Sequence, residues 1–118
     1  MKLSQVKEIL KAEVLTGEEF LDKEAFSAFG CDLMSDVLAY VKDQAVLLTG
    51  LVNSQVIRTA EMMDMVCVVF VRSKAPTEEM LELARESGIV IMTTDKRMYD
   101  ACGILYTNGL VSNRVKPI

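Results

Sequence analysis

Three short polar groups carry most of the chemistry open to this chain. They are Thr49-Gly50 with Asn53 close behind, Arg72-Ser73-Lys74, and Thr93-Thr94-Asp95 with Lys96 next to it. Each follows an apolar run and precedes a helical pattern. A helix N-terminus presents unpaired amides and the positive end of the helix dipole, and Arg and Lys add charge-assisted hydrogen bonds. With hydroxyls and a small residue beside them, such groups suit an anion such as phosphate. The alternative to a non-enzymatic regulatory or interaction module is a sensor whose rim binds a nucleotide or another phosphorylated metabolite, made of Thr49, Gly50, Asn53, Arg72, Ser73, Lys74, Thr93, Thr94 and Asp95. A plainer reading stands beside it. Thr, Ser, Asn and Asp at these places are also ordinary helix caps, and Arg and Lys in loops are mostly solvated.

Other chemistries lack their residues. No Gly-x-x-x-x-Gly-Lys-Ser/Thr or Gly-x-Gly-x-x-Gly string exists. There is no histidine to act as a base, and no Gly-x-Ser-x-Gly elbow. Glu18-Glu19 and Glu78-Glu79 are sequence neighbours, which suits solvation or a helix dipole better than a catalytic pair. Glu82 and Glu86 read as an exposed acidic face. The three cysteines, Cys31, Cys67 and Cys102, are widely spaced without a Cys-x-x-Cys pair, so zinc lacks its usual ligands. Cys67 lies in an apolar run and Cys102 on an apolar helix face, where both read as buried structural residues; Cys31 falls in a turn. A non-enzymatic protein without metal or cofactor is expected.

The elements that must position the rim are legible from periodicity. Val46 to Leu48 is a continuous apolar run that marks a buried strand over 45–49, Gly50 permits a turn, and Asn53 or Ser54 can cap a helix over 55–63. Val52, Val56, Ala60 and Met63, with Ile57 beside them, give that helix its apolar face. The grammar repeats. Residues 65–71 are apolar throughout, and Thr77 then caps a helix that Gly88 stops. Residues 89–92 form the last run, before a helix with Met98, Ala101, Cys102 and Leu105 on one face. Upstream, residues 4–11 read as a helix capped by Ser4, 13–15 as a short strand, 18–23 as a loop and 25–29 as a strand. Asp32 would cap a helix buried through Leu33, Met34, Val37, Leu38 and Val41. Strands alternating with helices over short loops predict an α/β fold, a three-layer α/β/α sandwich on a mostly parallel sheet. In such sheets ligands bind beyond the carboxyl ends of the strands, where the three polar groups fall.

Composition bounds the rest. At 118 residues, with 51% apolar and 25% charged, the chain makes one domain over 1–109 and a tail over 110–118 without usable periodicity. A net charge of -4 argues against a nucleic-acid partner. No apolar run approaches the length of a membrane span, and Met1-Lys2-Leu3-Ser4-Gln5 lacks a signal-peptide core, so a cytoplasmic protein is expected. Met62, Met63 and Met65 cluster, and Met62 lies off the main helical stripe. That hints at a second buried surface and a homodimer, with Met62 and Met63 at the interface. A peripheral core methionine is the equal alternative.

Several phrases carry a family resemblance. Val6-Lys7-Glu8-Ile9-Leu10 followed by Ala12-Glu13-Val14-Leu15-Thr16-Gly17, then Glu24-Ala25-Phe26-Ser27-Ala28-Phe29 and Asp36-Val37-Leu38, resemble the opening of the DRTGG domain family. Leu47-Leu48-Thr49-Gly50, and Thr93-Thr94-Asp95 before Met98-Tyr99-Asp100-Ala101-Cys102, resemble the remainder. The family is similar in fold to the N-terminal domains of HPr kinase/phosphorylase and the Mur ligases. The resemblance implies an α/β/α accessory module, often dimerising. In larger proteins it accompanies CBS domains of a regulated pyrophosphatase, whose adenine nucleotides bind the CBS part, or a phosphotransacetylase domain. It implies no catalytic residues. The eponymous string is absent. Where relatives place an acidic and a basic residue after the central strand, this chain has Leu51-Val52-Asn53-Ser54.

Overall fold

The apolar runs pair side by side as a five-stranded sheet in a computed structural model that describes residues 1–40 and 44–112. In chain order the elements are α1 (Leu3–Leu10), β1 (Glu13–Thr16), β2 (Ser27–Gly30), α2 (Met34–Tyr40), β3 (Ala45–Thr49), α3 (Ser54–Met62), β4 (Cys67–Phe70), α4 (Glu78–Ser87), β5 (Val90–Thr93) and α5 (Met98–Thr107). The strand order is β1-β5-β4-β3-β2. Four strands run parallel, and β1 closes one edge antiparallel to β5. This is the α/β/α sandwich expected from strand-helix alternation.

The pleat divides the side chains between two cores. Val46, Leu48, Cys67, Val69, Val90 and Met92 face α1 and α5. Leu47, Val68, Phe70 and Ile91 face α2, α3 and α4. Every residue of β3 and β4 is buried, which is why these strands read as unbroken apolar runs. Each large side chain fully buried this way contributes roughly 1.5–3 kcal/mol of transfer free energy.

Several expected details differ, each for a physical reason. Ser4 does not cap α1, because the helix starts at Leu3. The amides of Leu3 and Ser4 donate instead to the carbonyls of Lys23 and Leu21, so the 18–23 segment satisfies them. That segment holds a 3-10 turn at Glu18–Phe20. Val52 lies outside α3 and is exposed, since Asn53 takes the extended cap conformation and the helix begins after it. The strand expected over 25–29 is displaced to Ser27–Gly30. Among the residues of α2 whose burial is described, Met34 and Val37 are buried; Leu33, just before the helix, is 58% exposed and Leu38 is also exposed. Val41 lies outside the described residues. Leu110 is buried and the Val111 carbonyl accepts from the Ala28 amide, so the chain after α5 lies against β2. Residues 113–118 lie outside the described residues.

Gly17 sets the turn after β1. Its φ is +89°, and a Cβ there would stand 2.9 Å from the Val90 Cα. Gly17→Ala therefore adds left-handed strain and a backbone clash. We expect about 1–3 kcal/mol of destabilisation, read as a lower urea midpoint with an unchanged m-value.

Candidate functional site at the carboxyl ends of the strands

Parallel register brings the strand ends together. Thr49 stands beside Phe70, and Phe70 beside Thr93. The loops leaving these strands are tied to one another by their own polar groups. Thr49 is fully buried; its hydroxyl donates to Asp32 Oδ1 at 2.9 Å and accepts from the Leu51 amide at 3.2 Å. The Gly50 amide donates to the same Asp32 oxygen at 2.8 Å. Thr94 is buried, its hydroxyl donating to the Leu10 carbonyl at 2.8 Å and accepting from the Lys96 amide at 3.3 Å. Thr93 donates to the Lys74 carbonyl at 2.9 Å.

Arg72 and Ser73 form the middle of the rim in an unusual backbone. Their φ values are +56° and +55°, two left-handed residues in succession without glycine. The Arg72 amide donates to the Lys96 carbonyl and the Ser73 amide to the Thr94 carbonyl, each at 2.8 Å, which holds the conformation. The Arg72 guanidinium lies over Gly50, where a Cβ would come within 2.7 Å of Nη2. A side chain at Gly50 would make this guanidinium shift.

The structure joins Thr49, Gly50, Arg72, Ser73, Lys74, Thr93 and Thr94 into one hydrogen-bonded and packed rim. Asn53 caps α3 by accepting from the Gln55 amide at 2.7 Å, and Asp95 is exposed in the β5–α5 turn. No hydrogen bond among the described residues ties either side chain to the other loops. The threonine hydroxyls are engaged in holding loops. Among the described residues the cations Arg72, Lys74 and Lys96 take part in no ion pair, nor does the Asp95 carboxylate. The N-terminus of α5 starts at Arg97 without a side-chain cap, whereas Asn53 and Thr77 cap α3 and α4. The arrangement can attract an anion by charge.

Sequence reasoning missed Asp32, which was expected to cap α2. It is the acceptor that joins the β2–α2 turn to the end of β3. The link follows from β2 lying parallel to β3, with Gly30 beside Leu48. No local pattern shows that strand order. A cleft of about 620 Å³ at the opposite, amino ends of the strands was also missed; Lys23, Glu61, Asp64 and Ser87 help to line it.

Cys67 and Cys102 are poorly suited to nucleophilic work. Burial pushes the Cys67 and Cys102 thiols up, away from the reactive thiolate. Cys31 accepts from the Leu33 amide at 3.3 Å. Among the described residues no group of three or more Cys, Asp or Glu could hold a metal, and no helix is long and apolar enough to cross a membrane. Met62 is 68% exposed, while Met63 packs against the core beside α3.

Asp32→Ala leaves the buried Thr49 hydroxyl and the Gly50 amide without their acceptor. We expect a loss of about 1–3 kcal/mol in chemical denaturation. Asp32→Asn keeps an acceptor oxygen and should recover much of it. An equal loss in both variants would mean that the charge, not the acceptor, matters.

A solved structure shares this architecture. It contains the CBS and DRTGG domains of the regulatory region of a Clostridium perfringens pyrophosphatase, complexed with its activator diadenosine tetraphosphate. The TM-score is 0.71 at 16% sequence identity, and the match covers 88% of this chain and 45% of that one. The likeness is therefore one of fold, and this chain spans under half of its neighbour. No curated protein matches the chain. The family model for the DRTGG domain matches residues 5–107, nearly the whole sandwich including its rim, and the chain belongs to the DRTGG domain family.

Proposed function

We propose that this chain is a non-enzymatic regulatory module that works by contact with another protein surface, a second copy of itself first. The observation that carries this reading is how the chemically able side chains are used. Thr49, Thr93, Thr94 and Asp32 are engaged in hydrogen bonds that hold loops together, and the Cys67 and Cys102 thiols are pushed up by burial. Apolar side chains, in contrast, stand outside: Leu33, Leu38, Met62, Tyr99 and Tyr106 are all exposed. A domain of this family in the regulatory region of a pyrophosphatase supports a regulatory role.

A second reading has its own support. Arg72, Lys74 and Lys96 are cations without an ion-pair partner among the described residues, at the strand ends where α/β sheets bind ligands. The structural neighbour is complexed with a polyphosphate nucleotide. On this reading the rim of Thr49, Arg72, Lys74 and Thr94 senses a nucleotide or another phosphorylated metabolite.

Two measurements separate them. Light scattering of the purified chain should give twice the monomer mass at high micromolar concentration; a monomer there would overturn the self-association. A thermal-shift screen against diadenosine tetraphosphate, ATP and acetyl phosphate should be flat if contact with protein is the function. A ligand at a hundred times its dissociation constant would instead add about 2.7 kcal/mol, several degrees of melting temperature. If Arg72→Ala with Lys74→Ala abolished that gain, the sensor reading would replace the first.

A further inference from the structure

We infer that a second copy of this chain docks on α5, the two helices crossing antiparallel at Gly103. The inference rests on the self-association proposed above and assigns its surface.

The outer face of α5 is unlike that of a solvent-exposed helix. Ala101 and Leu105 point into the core, with Met98, Cys102 and Ile104 half-buried beside them. Tyr99, Gly103 and Tyr106 follow one another at i, i+4 and i+7, so they share the outward face. Tyr99 is 88% exposed and Tyr106 62%. From residue 101 to residue 112 the sequence has no charged side chain. Large exposed side chains grouped without charged residues between them mark a contact surface more than an ordinary solvated face.

Gly103 points to what covers it. A glycine inside an exposed helix costs roughly 1 kcal/mol relative to alanine. Gly17, Gly30 and Gly50 each have a neighbour that a Cβ would strike, but a Cβ at Gly103 meets nothing within 4 Å. Its φ is not in the left-handed region either. Neither packing nor backbone conformation within the chain needs a glycine here. What it provides is a gap on the outer face between two tyrosines, open to close approach from outside.

The ends of the helix select a second copy as the occupant. Arg97 stands at the N-terminus without a cap bond, with Lys96 before it, and the last turn has no basic residue. Asp100 in the first turn suits the amino end, but the carbonyl end has no cation to balance the helix dipole. An antiparallel copy brings each Arg97 toward the other helix's carbonyl end and corrects the mismatch twice, as a two-fold interface does. The tyrosines lie four residues before and three after Gly103, so in this crossing the Tyr99 of one copy falls beside the Tyr106 of the other. The neutral face also avoids setting two chains of net charge -4 charge against charge. The exposed parts of two Tyr99 and two Tyr106 side chains supply roughly 450–750 Å², less than a standard specific interface buries, so the dimer is weak and concentration-dependent. The apolar groove of about 250 Å³ between α5 and β2, lined by Ala28, Gly30, Leu48, Tyr106 and Leu110, continues this surface.

Sedimentation velocity on the full chain, from low to high micromolar, tests the assignment with Gly103→Arg and Met62→Glu. Gly103→Arg has open space and better helix propensity, so it should keep or raise the melting temperature of the monomer while weakening the dimer at least tenfold. Gly103→Ala, with a single added methyl, should raise the melting temperature and weaken the dimer less. Met62→Glu should dimerise like the parent chain. A dimer of unchanged affinity in Gly103→Arg overturns the α5 assignment and leaves self-association standing, as does loss of the dimer in Met62→Glu. A parent chain that stays monomeric at high micromolar concentration overturns both.

Discussion

The constraint on which the structure depends is the double burial of the central strands. β3 and β4 expose no residue on either face, so helices must cover both sides of the sheet. That requirement forces the alternation of strand and helix, since each parallel connection has to cross over a face of the sheet. It also places every strand-to-helix turn of β3, β4 and β5 at one end. The rim is thus a consequence of how the core is closed, before any function acts on it.

The rim shows how such turns are held. Thr49, Thr93 and Thr94 lie where strands end and amides or carbonyls would otherwise be left unpaired. Their hydroxyls satisfy neighbouring loops: Thr94 reaches Leu10 at the end of α1, and Thr49 reaches Asp32 across the β2–β3 pair. Once these groups are engaged, the charges left at the rim are the cations Arg72, Lys74 and Lys96 and the exposed carboxylate of Asp95. Two left-handed residues, Arg72 and Ser73, are kept in place by bonds to the β5–α5 turn. Backbone strain of this kind persists only where surrounding bonds over-determine it.

The two sides of the sandwich differ in how they meet solvent. On one side α4 turns Glu78, Glu79, Glu82, Arg85 and Glu86 outward, a solvated face of the ordinary kind. On the other, α5 turns two tyrosines and a glycine outward and carries no charge after Asp100. Both helices bury a stripe in the same way; what differs is the outer face, and there the sandwich itself makes no demand.

Most of the fold was legible in the sequence because it rests on local patterns. Continuous apolar runs at 46–48, 65–71 and 89–92 mark strands buried on both faces, and Asn53, Thr77 and Gly88 mark helix ends through bonds made within a few residues. The family phrases, too, are local strings. What the sequence could not show were bonds between distant segments. Ser4 yields its cap role because Leu21 and Lys23 arrive from another loop, Asp32 bonds to the end of β3 rather than capping α2, and Leu33 and Leu38 stay outside because only one face of α2 meets α3 and the sheet. Whether Thr49 and Thr94 are ligand groups or loop ties depended on partners 17 and 84 residues away. Periodicity and capping are set by neighbours along the chain, so the sequence determined the elements and their order. Strand order and packing are set by neighbours in space, so only the tertiary structure decided which polar groups are engaged and which surface is left open.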